Sequence, residues 1–376
     1  MKLIHLAAKR FEVMSADNLY LSHLFTNFAK ILGNDYLVVV SSCNENQFAG
    51  INLVNLDLKK YGRGKILYFW LPFIYYFFWL PVFIFKNNFK SSEIVFFSSD
   101  ANLLSILIFW KKIFGFKFKI CSDWHMLYQN WKDSLVAEHS DYLVTTSQKL
   151  KKLLISKTKI KEEKVLVAYG GVNLNDYQGL NQGQARIDLK LPPDKKLIGY
   201  IGLFKTMGME KGIKTMIAAL PYLSSDIMMV FVGARPGQGA EYEDYAKGLG
   251  VESKCLFVDI QPAARIPSYE KAMDILVIPY PDQPHFREYG FPMKVYEYMA
   301  SRRPIIYSKL ELTEEVLSDC AFLFEPDNPK DLADKINYVK DNINTEEVKN
   351  KVELAYNKAK GFDWKYKSGG ILDFLK

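Results

Sequence analysis

Short runs of β-branched and aromatic residues alternate with amphipathic stretches along this whole 376-residue chain, and that rhythm restricts it to an α/β fold. The strand-like runs are Lys2–Ala7, Tyr36–Ser41, Ile94–Ser98, Phe116–Cys121, Tyr142–Thr146 and Lys164–Ala168, with helical patterns such as Tyr20–Leu32 and Ser147–Lys157 between them. Strands separated by helices pair in parallel, so these residues predict a doubly wound parallel sheet. Asn173 to Pro193, rich in Asn, Gly, Gln, Asp and Pro, reads as a linker. A second series follows: Lys196–Ile201, Met228–Val232, Cys255–Val258, Ile275–Pro279, Ile305–Tyr307 and Ala321–Phe324. The chain is too long for one ordinary core. The expectation is two Rossmann-like domains, 1–185 and 186–358, facing across a cleft, with an amphipathic helix over 359–376.

The stretch Gly290-Phe-Pro-Met-Lys-Val-Tyr-Glu-Tyr-Met-Ala300 reads as a loop entering a helix. Pro292 suits the first helical position, where a missing N–H costs nothing. Lys294 falls in the first turn and Glu297 three residues on, on the same face. A helix start with an added lysine suits phosphate, and a carboxylate one turn deeper can accept from two neighbouring hydroxyls of a ribose. The plainer alternative is an amphipathic helix whose Lys and Glu are merely solvated. It is weakened because the element follows a buried-strand pattern, Met273 to Tyr280, and ligands of open α/β sheets bind at the carboxyl ends of such strands. Gly199-Tyr-Ile-Gly202 is a second strand ending in glycine, with Lys211-Gly212 before the next helical pattern. The plain reading of that turn is an ordinary strand–helix connection. Strands one and four of such a sheet are neighbours, so Lys211 and Lys294 could converge on one diphosphate and stabilise its departure without a metal.

The net charge of +7 comes with no Arg-rich run or RNA-type aromatic motif, which argues against nucleic-acid binding. Cys43, Cys121, Cys255 and Cys320 are widely spaced, without a C-x-x-C pair, and fit free thiols of a cytoplasmic protein. The apolar core of the N-terminal stretch is too short for a signal peptide. No Asp-x-Asp pair stands at a strand end, so no essential metal or further cofactor is expected.

One segment breaks the soluble pattern: Ile66 to Phe85 carries no charge. Pro72 and Pro81 interrupt it, aromatics outnumber aliphatics, and Lys59, Lys60, Arg63 and Lys65 precede it while Lys86 and Lys90 follow. Basic flanks beside an aromatic face favour monotopic attachment to an anionic leaflet. A buried crossover helix and a true span remain the alternatives.

These residues resemble the retaining glycosyltransferases of family 4, which have the two-domain GT-B fold. Gly199-Tyr-Ile-Gly…Glu210-Lys-Gly is similar to the family's strand–glycine–Lys-Gly element. Met273-Asp-Ile-Leu-Val-Ile-Pro is similar to its "A-D-hydrophobic-Pro" strand. Phe291-Pro-Met-Lys-Val-Tyr-Glu-Tyr-Met-Ala-Ser-Arg-Arg-Pro-Ile-Ile resembles the subgroup pattern S-P-x-K-hydrophobic-x-E-Y-M-A-x-G-x-P-I. Gly170-Gly-Val-Asn-Leu-Asn-Asp-Tyr resembles the linker, and Phe362-Asp-Trp the tail helix that crosses back onto the first domain, here 359–376. The resemblance implies that Glu297 holds the donor ribose, that Lys294 and Lys211 hold the diphosphate, and that Gly202 and Met293 line the same pocket. Asp123 or His125, after the Phe116–Cys121 strand, would meet donor sugar or acceptor; Asp123 could instead cap a helix and His125 simply pack.

Three departures from the pattern stand out. The family often has Glu-x7-Glu, but Tyr289 stands eight residues before Glu297; Glu288, one position off, either takes the first carboxylate's role through a shifted loop or the role is absent. The usual Gly-Arg is Gly202-Leu203, leaving Lys205 or Arg287 as substitutes for the arginine. The N-terminal glycine loop is replaced by Val13-Met-Ser-Ala-Asp17. The resulting expectation is a retaining, metal-independent hexosyltransferase that uses a UDP- or GDP-linked sugar and a glycan or lipid-linked acceptor in cell-surface glycan synthesis. It would lie peripherally on the inner face of the cell membrane. A sugar-nucleotide epimerase of the same fold and a non-catalytic nucleotide-sugar binder stay open.

Overall fold

A computed structural model describes residues 1–12, 15–44, 46–58, 65–289 and 292–376. They form two compact units, Met1–Tyr169 with Trp364–Lys376, and Gly170–Asp363. In the first unit the strands are β1 (Lys2–Arg10), β2 (Tyr36–Ser42), β3 (Leu53–Asn55), β4 (Ile94–Ser98), β5 (Lys119–Trp124), β6 (Tyr142–Thr145) and β7 (Val165–Val167). They lie in the order β3-β2-β1-β4-β5-β6-β7, every neighbour parallel. The strand order reverses between β1 and β4. Residues 36–42 of β2 are buried along their whole length, as a parallel strand covered on both faces must be. The helices of this unit are α1 (Ala16–Leu32), α2 (Lys65–Lys86), α3 (Ala101–Phe114), α4 (Trp131–His139) and α5 (Gln148–Thr158). Ser15 caps α1 by accepting from the Asn18 N–H at 3.1 Å, and Asp100 caps α3 through the Asn102 and Leu103 amides.

The uncharged segment thus forms α2, in the crossover before β4. Its residues Tyr76, Leu80 and Ile84 are buried while Ile74, Phe78 and Val82 are exposed. Among the described residues no helix is long and apolar enough to cross a membrane. Lys59, Lys60 and Arg63, expected to form part of its basic flank, lie outside the described residues.

The second unit holds β8 (Lys196–Ile201), the short hairpin β9 (Lys205–Thr206) and β10 (Met209–Glu210), then β11 (Ile227–Ala234), β12 (Cys255–Asp259), β13 (Ile275–Ile278), β14 (Ile305–Ser308) and β15 (Phe322–Phe324). Its main sheet runs β12-β11-β8-β13-β14-β15, again parallel, and reverses between β8 and β13. The helices are α6 (Gln182–Asp188), α7 (Ile213–Ala219), α8 (Gly239–Gly248), α9 (Ile266–Ala272), α10 (Pro284–Glu288), α11 (Lys294–Ala300), α12 (Glu311–Leu317), α13 (Pro329–Asp341) and α14 (Glu346–Lys360).

The chain enters the second unit at Gly170, upstream of the boundary after residue 185 that composition suggested. The cause is α6: Arg186 pairs with Asp274 at 2.7 Å and donates to the Ala272 carbonyl at 2.8 Å, fixing the turn-rich stretch to the second core. The return also comes later than expected, at Trp364 rather than residue 359. Helix α15 (Trp364–Phe374) buries Trp364, Ile371 and Leu372 in the first unit, and His23 of α1 stacks on Trp364 at 4.8 Å. Lys367 of α15 donates to the carbonyls of Ala168 and Tyr169 at 2.6 and 2.7 Å.

Candidate active site

Where the order of the second sheet reverses, the carboxyl ends of β8 and β13 diverge, which is where open α/β sheets receive ligands. Strand β8 runs out into Gly202, whose φ of +139° is a backbone conformation that residues with a side chain rarely adopt. A Cβ there would stand 2.7 Å from the Lys294 amine, so the glycine leaves room for that amine. Lys294 opens α11, a helix whose Val295, Tyr298 and Met299 are buried. The Tyr298 hydroxyl accepts from the Ile201 N–H at 2.8 Å and donates to the Ile201 carbonyl at 3.3 Å, tying α11 to the end of β8.

The Lys294 side chain is only 7% exposed, and its Nζ has no hydrogen-bond partner among the described residues. It lies 3.6 Å from the centre of the Tyr200 ring and 5.6 Å from that of Tyr280. Burial pulls its pKa well below the ordinary lysine value; Lys211 pulls the same way, while Glu297 and Glu270 oppose. Lys211 is itself drawn down to about 8 by burial. Lys211 thus stands near enough to bear on Lys294, in keeping with the adjacency of β8 and β13. Gly212, with φ +85°, sits so close to the Pro279 carbonyl that no side chain fits, which holds the Lys211 turn against the end of β13. Glu210 has a role unseen in the sequence: its carboxylate accepts from Gly212, Ile213 and Lys214 amides and so fills the start of α7.

Glu297 lies one turn into α11 and keeps some exposure. Burial lifts its pKa to about 7, with Lys294 opposing and Asp176 adding to the rise. Behind it stands Glu270 of α9, fully buried and held by the Tyr177 hydroxyl, which donates to Oε2 at 2.5 Å. Burial first and Glu297 second push the Glu270 pKa well above the ordinary carboxylate value, with the Tyr177 hydrogen bond and Lys294 opposing. Neither Glu270 nor Tyr177 was among the sequence candidates; the one available signal was a glutamate on the apolar face of the 266–272 helical stretch. His285 of α10 was missed too; burial and then Lys211 lower its pKa.

Other sequence candidates do not join this cluster. Lys205 is bound to Glu241 of α8 at 2.6 Å, and Arg287 is exposed and paired with Asp282 at 3.0 Å, so both proposed substitutes for the missing arginine already have partners. Glu288 closes α10, half-buried, and Met293 occupies the turn directly before α11. Gly290 and Phe291, the start of the motif, lie outside the described residues, as do Val13 and Met14 of the segment that replaces the N-terminal glycine loop. Asp17 of that segment pairs with Lys9 at 3.1 Å.

In the first unit Asp123 lies within β5 and is buried. It caps no helix: its Oδ2 accepts from the Tyr20 hydroxyl at 3.0 Å and meets His125 Nε2 at 3.2 Å, while Oδ1 has no partner among the described residues. Burial acts to raise its pKa, but His125, Lys367 and Tyr20 outweigh burial and hold it below the ordinary value. Tyr20 also meets the His125 ring edge-on at 4.5 Å. Among the described residues no group of three His, Cys, Asp or Glu side chains is arranged to hold a metal ion.

Residues 195–342 match the family model described as Glycosyl transferases group 1. An uncharacterized glycosyltransferase of Methanocaldococcus jannaschii is 26% identical over 180 residues, 46% of this chain and 44% of the relative. The chain thus spans less than half the length of the curated relatives it matches. Among solved structures, a glycosyltransferase of Rickettsia africae superposes over 100% of this chain and 98% of its own, with TM-score 0.78 and 16% identity. Anabaena HepE, solved in complex with UDP, covers 100% and 99% with TM-score 0.76 and 16% identity. The fold is therefore that of the GT-B glycosyltransferases, two α/β units with parallel sheets.

Proposed function

We propose that this chain is a group 1 glycosyltransferase that moves a sugar, with retained configuration, from a nucleotide diphosphate to an acceptor hydroxyl. The observation that carries this reading is the Lys294 amine, buried, without a hydrogen-bond partner and facing Gly202 where the β8–β13 order reverses. A buried amine without a partner is costly, and a diphosphate oxygen is the partner that would relieve it. The match of residues 195–342 to the group 1 family and the UDP held by the HepE structure support the same reading.

Lys294 and Lys211 bind the diphosphate, with Gly202 and Met293 beside them, and Glu297 accepts from the ribose hydroxyls. As the bond from the sugar's anomeric carbon to the phosphate oxygen breaks, charge grows on the diphosphate and its contacts with the two lysines strengthen. The incoming hydroxyl bonds to the anomeric carbon on the same face, and its proton passes to the departing phosphate oxygen. Asp123 and His125 are assigned to sugar or acceptor, and Glu288 to the place of the family's first carboxylate. The donor is UDP- or GDP-linked, the transferred group a hexose, and the acceptor a glycan or lipid-linked intermediate of cell-surface synthesis. Metal is not required, because the lysines supply the positive charge.

Thermal melts against UDP-, GDP-, ADP- and dTDP-sugars, in chelator, test this. A true donor at a hundred times its Kd adds about 2.7 kcal/mol of stability, and slow donor hydrolysis without acceptor should accompany it. No stabilisation by any nucleotide sugar would overturn the donor assignment, and hydrolysis only after added magnesium or manganese would overturn the metal-free one.

A further inference from the structure

A helix that is apolar all round is normally covered all round. Helix α2 is apolar on every side in sequence, yet over its residues 71–86 the fold covers only one. Tyr76, Leu80 and Ile84 are fully buried, while Ile74, Phe78, Val82 and Phe85, spaced along the opposite face, are 55, 67, 63 and 45% exposed. This stripe continues on a second helix. Phe109, Ile113 and Phe114 of α3 are 44, 59 and 45% exposed. The two helices are joined by contacts of Phe77 with Phe109 at 5.4 Å and Phe85 with Phe114 at 5.0 Å, and by Trp110 donating to the Phe77 carbonyl at 2.8 Å. The result is one continuous apolar face, larger than the 66–85 segment alone suggested.

Along the two helices themselves the charge has a single sign. No Asp or Glu occurs between Asp57 and Glu93, nor between Asp100 and Asp123. Within those stretches Lys86, Lys112 and Lys117 are exposed, and Lys90 lies over the Phe85 ring at 5.0 Å. A shallow cavity of about 280 Å³ at the end of α3 is lined by Lys111, Lys112, Lys117 and His139. Lys111 there is already paired with Asp141 at 3.1 Å, so Lys112 and Lys117 are the amines turned to solvent.

We propose that the exposed faces of α2 and α3 form one docking surface for an anionic bilayer, with aromatic and aliphatic side chains entering the interface and the lysine-lined cavity taking a lipid phosphate. Apolar area gives the affinity, and a lysine-rich rim, its Asp141 already bound to Lys111, gives the preference for anionic lipid. A protein partner would need acidic groups to match the same rim; a bilayer supplies them at any position along the face. The inference is independent of the donor site.

The full chain is mixed with vesicles of phosphatidylcholine, with or without phosphatidylglycerol, and sedimented. It should pellet with the anionic vesicles at low salt and be released at high salt, where the rim is screened. Lys112→Glu with Lys117→Glu should weaken binding by roughly thirtyfold, the equivalent of about 2 kcal/mol at ~1 kcal/mol per lysine. Phe78→Glu with Val82→Glu should abolish pelleting. These positions are exposed, and thermal melts confirm that each variant folds. The proposal is overturned by equal pelleting with both vesicle types, by no pelleting, by folded variants that bind like the parent, or by retention through high salt and alkaline carbonate. Light scattering that shows a dimer which Phe78→Glu with Val82→Glu dissociates would assign the face to a second copy and also overturn it.

Discussion

Replacing Lys294 by methionine should make the protein more stable and nearly inactive. The amine is buried and has no hydrogen-bond partner among the described residues, which costs about 1–3 kcal/mol in the empty protein. Against that stands the contact with the Tyr200 ring at 3.6 Å, worth about 0.5–2 kcal/mol to a charged amine. Burial pulls the amine's pKa down, which acts against that return. Methionine keeps the length and flexibility of the side chain, so little new void opens. The balance is a gain of about 1–2 kcal/mol. For a unit the size of Gly170–Asp363, at about 2–4 °C per kcal/mol, the melting transition should rise by roughly 2–8 °C. Turnover should meanwhile fall by about 10² or more, because the lost charge acts on a leaving group. Calorimetry of the empty protein and steady-state kinetics measure the two effects. A lower melting temperature would show that the amine supports the fold. A higher one with unchanged kcat would refute its contact with the diphosphate.

Tyr298→Phe removes both hydrogen bonds to the Ile201 backbone and should cost about 1–3 kcal/mol by denaturant titration, with weaker donor binding as α11 loosens; unchanged stability would show that packing alone holds the helix. Glu297→Ala should act mainly through donor KM, at roughly 1.5–3 kcal/mol, since the ribose does not change during transfer; an equal fall in kcat would contradict that role. Lys211→Ala should lower kcat like the loss of Lys294, and the double variant should lose less than the product of the two; strict additivity in a double-mutant cycle would separate the two lysines. Donor affinity should follow a bell in pH. Glu297 must be ionised to accept from the ribose, so binding weakens below about 7. Lys211 must be charged, so it weakens again above about 8, by up to a decade per pH unit for one proton. The empty protein should behave differently. Lys211 has a lowered folded pKa, so the unfolded chain binds more protons between about 8 and the ordinary lysine value, and stability rises with pH across that window. Calorimetric titrations over pH 6–9 that show a flat donor affinity would remove these groups from the site.

The strands of both sheets were legible because parallel strands are buried on both faces and read as near-continuous apolar runs; β8 lies where the run Lys196–Ile201 put it. The two residues of β9 and of β10, and the three of β3, are too short to show a period. Lys294, Gly202 and Lys211 could be singled out as candidates because glycine and proline punctuate the ends of strands and the starts of helices. The fate of Lys205 could not, because it depends on Glu241, which arrives from α8 through the tertiary fold. Tyr298 and Tyr177 looked like ordinary core aromatics; what distinguishes them is where the hydroxyl ends, and no pattern of types along the chain encodes that. The linker misled for a related reason. Turn-rich composition marks where the chain bends, whereas the Arg186–Asp274 pair decides which core it joins.

The placement of α15 bears on the order in which the protein can be completed during synthesis. Trp364 and Lys367 finish the first unit, stacking on His23 of α1 and holding the carbonyls of Ala168 and Tyr169, yet they leave the ribosome only after all of Gly170–Asp363. At about 5–20 residues per second, the nascent first unit waits on the order of ten to forty seconds with that face open. Its apolar surface around Tyr20 is exposed for that interval, and the second unit has every residue it needs before α15 emerges. The unit that begins the chain is therefore the later of the two to close, and a chaperone that shields α1 has a defined period in which to act.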